Sequence, residues 1–266
     1  MPTVAHSNLG GVGPDGGTEN LYIRNVGIAK LDPSNPHNGA SIDLRITATS
    51  DYRASNNALN GFGAGGGGRF GVVNMRAPGP VCNGCTGIGG EWHPELTYTD
   101  FEMAFIHQPS GELLDVTGGF QTFLTFYDFD SLTGQNGGPR RAIECIMVDS
   151  SSGSIVMHAE PDAALTQHAP QEVMAWVIAD GTHTFNENPN AAFSAASRLF
   201  CATEHGIGAD NPTDPLHLTP LESSRSVHIE INNVATITAR YLLHNGPSST
   251  GRNFMFGGRP VIGARI

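Results

Sequence analysis

The feature that most constrains the fold is a series of short segments in which apolar and polar residues alternate. A period of two is typical of half-buried β-strands, whereas an amphipathic helix repeats its apolar residues every three to four positions. Turn-forming stretches such as HQPSGE, DSSSGS, IADGTH and HNGPSS separate the segments. The segments predicted to be strands begin near positions 20, 41, 69, 100, 119, 141, 154, 172, 224 and 253.

Long amphipathic helices do not occur between these segments, which excludes a parallel α/β fold. We therefore predict an all-β protein with a two-layer antiparallel β-sandwich that is jelly-roll-like. One segment, residues 191–200, has helical apolar spacing but no terminating signal, so that strand and helix both stay open there.

The length of the chain favours one domain. For 266 residues, the scaling of accessible surface with mass indicates that about 70–75% of the unfolded surface is buried, which one core can achieve. We predict a single β-sandwich domain over residues 19–266. Residues 1–18 are rich in Gly, Pro and Asn and are predicted to form a flexible arm, which could add a strand to the sheet edge of a second copy.

The charge balance restricts the partners. The chain has 25 acidic and 14 basic residues, a formal net charge of −11. Nucleic-acid binding depends on clustered Lys and Arg, so nucleic acid is not an expected partner, and cations are favoured instead. Because no apolar run approaches the length of a membrane span, we predict no membrane insertion.

The four cysteines indicate an oxidising compartment. Cys145 and Cys201 lie in strand-like segments, whereas Cys82 and Cys85 lie in the loop VCNGCTG. We predict two disulfides, Cys145–Cys201 across the core and Cys82–Cys85 within the loop. A zinc site and a redox-active CxxC are less favoured, because the CxxC motif occurs once and glycines follow it where a redox site needs a helix.

A calcium site is predicted where the segment TFLTFYDFD ends. Continued alternation would place Leu124, Phe126, Asp128 and Asp130 on one face, so that two carboxylates follow an apolar row and converge on one hard cation. The next loop is predicted to supply Asn136 as a further ligand. A neighbouring strand is predicted to supply a third acid, for which Glu144 is the first choice and Asp43 the second. The alternative is that both aspartates only start a turn.

Two other groups of residues are weaker candidates. The loop HGIGADNPTDP holds Asp210, Asn211 and Asp214 among Gly and Pro, which suits either a second ligand site or a stiff connector. Trp92 and Tyr98 are candidate glycan contacts. Some β-sandwich enzymes cleave glycans with a pair of carboxyl groups. The candidates for such a pair near these aromatic residues are Glu91, Glu95 and Glu102.

The ordered set IDLRIT, GRFGVVNM, FEMAF, FLTFYDFD, GIGADNPTDPLHLTP, SRSVHIEI and GRNFMFGGR resembles uncharacterised β-rich modules of predicted secreted or surface proteins of algae and bacteria. The resemblance is one of general pattern and spans most of residues 40–260. It implies a secreted β-sandwich.

These observations predict a non-enzymatic, calcium-stabilised extracellular module that acts by contact, as an adhesion module or a building block of an extracellular assembly. Its expected partners are other copies of itself or surface proteins, and its expected location is the extracellular space or the cell surface. The alternatives are a carbohydrate-binding module, a glycan-cleaving enzyme, and an accessory subunit of a membrane-associated complex in an oxidising organelle lumen. The sequence contains no GxSxG or HExxH motif that would indicate a specific enzyme class.

Overall fold

The structure is a computed structural model that describes residues 2–62, 70–76, 96–117, 119–132, 142–149, 155–158, 165–168, 198–202, 211–215, 217–244 and 251–257. Within these ranges the chain forms sixteen strands. They are β1 Thr3–Ser7, β2 Leu21–Ile28, β3 Ser41–Ala48, β4 Gly61–Phe62, β5 Gly71–Arg76, β6 Leu96–His107, β7 Glu112–Leu113, β8 Gln121–Tyr127, β9 Ser131–Leu132, β10 Ala142–Val148, β11 Ile155–His158, β12 Leu165–His168, β13 Arg198–Ala202, β14 Val227–Asn232, β15 Thr236–His244 and β16 Gly251–Gly257.

The strands form two sheets. The larger sheet has the order β1-β2-β3-β6-β15-β10-β13-β12, with β7 paired to β6 and β9 paired to β10. The smaller sheet has the order β11-β14-β8-β16-β5-β4. The pairings within both sheets are antiparallel, as between β6 and β15 or β8 and β14, and one core cluster contains residues of both sheets. The predicted all-β, two-layer antiparallel sandwich is confirmed.

Alternate residues of the central strands fill the space between the sheets. On β3 these are Ile42, Leu44 and Ile46, each at most 4% exposed. An aromatic stack crosses the middle of the core. The ring of Phe254 on β16 lies 4.7 Å from that of Phe126 in its own sheet and 4.4 Å from that of Tyr241 in the opposite sheet. Large rings packed face to face in this way bury much apolar area and fix the two sheets against each other.

Each sheet also buries a smaller apolar cluster on the face turned away from this core. The cluster on the larger sheet contains Cys145, Met147, Leu199, Cys201 and Leu242, with Tyr98 against it. The cluster on the smaller sheet contains Phe70, Val72, Tyr127 and Met255, with Leu218 against it. Leu218 comes just before the short helix α1, Pro220–Ser224, whose first turn is fixed by a capping box between Thr219 and Glu222.

The N-terminal segment belongs to the larger sheet, which corrects the prediction of a flexible arm over residues 1–18. Strand β1 pairs antiparallel with β2, from Thr3 opposite Arg24 to Ser7 opposite Leu21. Leu9, in a 3-10 helix at Leu9–Gly11, is fully buried in the core. The sequence did not predict this strand, because a short edge strand with one buried residue shows little alternation and the residues around it are rich in glycine.

The structure refines two further sequence predictions. Arg198–Ala202 is a strand, which decides the end of the segment that was open between strand and helix; residues 191–197 lie outside the described residues. The long segment from 224 is divided into two strands, β14 and β15, and Asn233 between them has a φ of 56°. None of the helices within the described ranges has the length and apolar character that a membrane crossing requires.

Candidate functional site

The predicted acidic site lies where β8 ends. The strand stops at Tyr127 because Asp128 adopts the left-handed conformation, with a φ of 65°. Asp is one of the few residues other than Gly that tolerate this conformation. The alternation expected through Asp128 and Asp130 is therefore wrong at this point. Phe129 turns into the core, where it is 1% exposed and packs edge-on against Tyr241.

Asp130 lies at the rim of the core, where its side chain is 15% exposed and contacts a buried arginine. The guanidinium of Arg225, 3% exposed, donates a hydrogen bond to Asp130 Oδ1. The backbone strengthens this contact, because the Phe129 amide donates to the Arg225 carbonyl at 3.2 Å. Arg225 follows α1, so the capped helix positions the guanidinium against the end of β8.

Glu144 joins this group from the larger sheet. It lies on β10 on the same face as Ile146 and Val148, so its side chain points between the sheets and is nearly inaccessible to solvent. The Asp130 amide donates to Glu144 Oε2 at 3.3 Å, and the Glu144 amide donates to the Asp130 carbonyl at 3.1 Å. Arg252 of β16 approaches from the smaller sheet, with its Nε 3.3 Å from Glu144 Oε1.

We call this group the acid–arginine cluster; its members are Asp128, Asp130, Glu144, Arg225 and Arg252. Burial raises the pKa of Glu144 to about 8; the nearby guanidinium of Arg252 opposes the shift, and the charges of Asp130 and Asp128 add to it. Burial also raises the pKa of Tyr241 well above its usual range, and the Glu144 carboxylate, which Tyr241 hydrogen-bonds, contributes to that shift. Two guanidinium groups thus balance three carboxyl groups, one of which favours its neutral form near neutral pH.

The structure brings together some of the predicted calcium ligands but not all. Asp128, Asp130 and Glu144 are neighbours, and Asn136 lies outside the described residues. Asp43 is remote. Its partner on β6 is Ile106, whereas Glu144 aligns through Leu243 with Thr97, nine residues away along β6 or about 30 Å.

Asp43 has a different role from the predicted one. It points away from the core face of β3, where it is 1% exposed and accepts a hydrogen bond from the Asn25 amide at 2.9 Å. Its carboxylate also hydrogen-bonds the hydroxyl of Tyr22, and burial together with that carboxylate raises the pKa of Tyr22 to about 12. Asp43 thus fixes the irregular part of β2 around Asn25, whose φ is 58°.

Calcium stays a prediction. Among the described residues, no group of three or more His, Cys, Asp or Glu side chains is arranged to hold a metal ion. The positive charges beside Asp130 and Glu144 are instead those of Arg225 and Arg252.

Both arginines and Tyr241 were absent from the residues predicted for this site. A signal for Arg252 was present, because GRNFMF alternates and places Arg252 on the face of Phe254 and Phe256. No comparable signal exists for Arg225, which reaches Asp130 across 95 positions of the chain.

The second acidic loop has a local structure of its own. Asp214 contacts His217, with Oδ2 3.0 Å from Nδ1, and its carbonyl accepts from the His217 amide at 3.1 Å. Asn211 is exposed, and Asp210 lies outside the described residues. Pro215 then lies near Gly257, and Leu218 packs against the apolar cluster on the outer face of the smaller sheet. These contacts favour the stiff connector.

The Cys145–Cys201 disulfide is confirmed, but it does not cross the core as predicted, because both cysteines lie on the outer face of the larger sheet. The two residues are direct partners in the β10–β13 pairing, and their Cα atoms are 4.1 Å apart. Cys82 and Cys85 lie outside the described residues.

The predicted glycan residues are separated. Tyr98 lies beside Arg240, whose guanidinium carbon is 4.3 Å from the ring centroid. Glu102 is 3.8 Å from Arg45 on the outer face of the larger sheet. Trp92, Glu91 and Glu95 lie outside the described residues.

Comparison with known proteins adds no family, since no protein-family model and no curated protein matches the chain. The resemblance to β-rich modules therefore stays a prediction.

Proposed function

We propose that this chain is a non-catalytic β-sandwich module that acts by contact in an oxidising, extracellular environment, in adhesion or as a building block of an assembly of its own copies. The observation that carries this proposal is the buried disulfide between Cys145 and Cys201. Disulfides persist in oxidising compartments and are rare in reducing ones. This bond links adjacent strands of one sheet and reinforces the scaffold.

The state of the buried acids supports a structural role. Buried Asp100 and Glu144, and Asp130 at the rim of the core, each contact an arginine, in the pairs Asp100–Arg240, Asp130–Arg225 and Glu144–Arg252. A catalytic carboxyl group must reach substrate and exchange a proton or form a bond. A carboxyl group that is buried against a guanidinium is instead committed to holding strands together.

Contact between copies is tested by bead clustering. The full chain, secreted from a host with an oxidising pathway, is attached to beads through a C-terminal tag, and clustering is followed by light scattering. We expect clustering that increases with surface density and is absent for beads coated with reduced, alkylated and denatured protein. Native beads that stay dispersed at every density would contradict assembly. Binding on a glycan array or release of reducing ends from polysaccharides would favour the carbohydrate-binding or the glycan-cleaving alternative.

The compartment is tested separately. Peptide mapping without reduction, on protein taken from its natural source, should recover one crosslinked species that contains Cys145 and Cys201. Free thiols at both positions in freshly alkylated material would overturn the oxidising location.

A further inference from the structure

Two stacked histidines lie at the end of β6 remote from the acid–arginine cluster. His107 is the last residue of β6, and His37 lies in the connection between β2 and β3. Their imidazole rings are parallel within 5°, and the ring centroids are 3.9 Å apart. Both side chains are half-buried, so that solvent protons reach them.

The hydrogen bonds of His37 require one protonation state. The backbone amide of Asp115 donates to His37 Nδ1 at 2.8 Å, so that this nitrogen carries no proton in the observed arrangement. His107 Nδ1 lies 2.8 Å from the hydroxyl of Ser110, which can donate or accept. A proton on His37 Nδ1 would replace an acceptor by a donor that faces the Asp115 amide.

His37 fastens two chain segments that are remote in sequence. Next to it, the Asn35 side-chain amide donates to the carbonyls of Asp115 at 3.2 Å and Thr117 at 2.7 Å. The β2–β3 connection, residues 29–40, is thereby held against residues 114–117, which follow β7. Leu31 and Leu114 anchor the two segments in the core.

We propose that the His37–His107 stack is a pH-sensitive clasp, which holds the β2–β3 connection against residues 114–117 at neutral pH and releases it when the solution becomes acidic. One proton on His37 Nδ1 removes the acceptor for the Asp115 amide. A second proton, on His107, places two positive charges within one stack, where they repel each other.

The charged groups that face the stack include some that favour protonation of the histidines and some that oppose it. Burial and the charge of His37 lower the pKa of His107, whereas Glu112 on β7 opposes that shift. The Asp115 carboxylate lies near His37, and its own pKa is lowered, chiefly because the Thr117 amide and hydroxyl donate to it. Since the folded form of His107 releases its proton more readily than an unfolded one, stability is present above about pH 6.5 and is lost as the pH falls through that region.

Parallel rings favour a proton over a metal ion as the ligand of this pair. The lone pairs of an imidazole lie in the plane of its ring, so that two rings in parallel planes 3.9 Å apart do not aim at one point between them.

Amide hydrogen exchange on the full chain tests the clasp. Protection factors, which correct for the intrinsic pH dependence of exchange, are measured by NMR at about pH 7.5 and about pH 5. Loss of the amide's acceptor predicts that protection of the Asp115 amide falls by about tenfold or more at the lower pH. The Asn8 amide, which donates to the Asn20 carbonyl at 2.8 Å in another part of the fold, should change less than twofold. Equal protection of Asp115 at both pH values would overturn the proposal.

Three variants separate the clasp from general acid destabilisation. His37→Asn keeps an oxygen acceptor near the position of Nδ1 but does not titrate, so Asp115 protection should become independent of pH. His217→Asn, which replaces a histidine with an 80% exposed side chain, should keep the full response. A pH response in His37→Asn equal to that of the wild type contradicts the proposal.

If His37→Asn does not fold, His107→Phe provides the decisive measurement. It keeps a flat ring beside His37 but removes the second positive charge, so the loss of Asp115 protection at about pH 5 should be smaller than in the wild type. An equal loss in both proteins would show that the stack has no part in the response.

Discussion

Glu144 and Arg252 lie on opposite sheets, and their side chains meet at one end of the core with Glu144 Oε1 3.3 Å from Arg252 Nε. Elsewhere the sheets are joined by apolar and aromatic side chains such as Phe254 and Tyr241. Ionising the buried Glu144 carboxyl group costs hydration that the Arg252 guanidinium only partly offsets, so the contact specifies how the sheets meet more than it adds stability. The pair therefore makes the sandwich sensitive to the protonation of Glu144.

The first prediction concerns pH and Glu144. Its folded pKa, about 8, lies above the ordinary value of 4.5. The folded state therefore holds the extra proton between these values, and the associated stability is present below about pH 4.5 and lost as the pH rises through 8. Compared with Glu144→Gln, the wild type should lose up to about 1.4 kcal/mol of unfolding free energy per pH unit across this window.

Urea unfolding at several pH values between 5 and 9 measures this difference. The matched control is Glu102→Gln, because the Glu102 side chain is 41% exposed and its contact with Arg45 is a surface pair. Parallel pH curves for the wild type and Glu144→Gln would contradict the raised pKa.

The second prediction concerns Asp100 and Arg240, direct partners across β6 and β15. Arg240 Nε and one terminal nitrogen donate to the two oxygens of Asp100 at 2.6 and 2.9 Å, and both side chains are at most 10% exposed. Arg240→Met leaves the carboxylate buried without its cation and should cost about 3–5 kcal/mol of unfolding free energy. The double variant Asp100→Leu, Arg240→Met should recover most of that loss. A double variant as unstable as Arg240→Met would show that the contact of the Arg240 guanidinium with the Tyr98 ring, rather than its pairing with Asp100, stabilises this position.

The third prediction concerns the disulfide. Cys145 and Cys201 are separated by 56 positions, and closing a loop of that length in the unfolded chain stabilises the fold by about 4 kcal/mol in the chain-entropy description. The Cys145→Ala, Cys201→Ala variant should show this loss in urea unfolding under oxidising conditions. As a control, wild-type protein fully reduced in the denatured state should unfold at the same midpoint as the variant. A loss below about 1 kcal/mol would mean that β10 and β13 are held by their apolar neighbours alone.

The sandwich and one disulfide were predictable because their signals are local. Alternation over β3, β8, β14 and β15 follows from one buried face per strand, and Cys145 and Cys201 both lie in segments of strand character. The three acids of the site were predictable for the same reason, since Asp128, Asp130 and Glu144 lie in or directly after recognisable strands.

The arrangement of that site was not predictable, because it depends on contacts that no local pattern encodes. A single left-handed residue, Asp128, ends the alternation and sends Phe129 into the core. Arg225 directly follows the helix α1, which is capped by Thr219 and Glu222. Its contact with Asp130 forms only in the folded chain, so no local pattern predicts it. Asp43, like Glu144, lies within an alternating strand, but it faces away from the core and lies about 30 Å along β6 from Glu144. Spacing within a strand therefore could not distinguish the acids that join the site from Asp43, which does not.

The fourth prediction concerns calcium. If guanidinium groups balance the carboxylates of Asp130 and Glu144, the folded protein does not need a divalent cation there. Removing calcium with a chelator should then shift the melting temperature by less than about 1 °C, whereas a loss of 1 kcal/mol would lower it by about 2–4 °C in a domain of this size. Arg252→Gln frees one oxygen of Glu144 from its cation and, at a pH above the raised pKa of Glu144, should make the melting temperature respond to added calcium more than that of the wild type. A fall of several degrees when wild-type protein is treated with chelator, reversed by calcium but not by magnesium, would instead support the calcium site predicted from the sequence and would assign the arginines a secondary role.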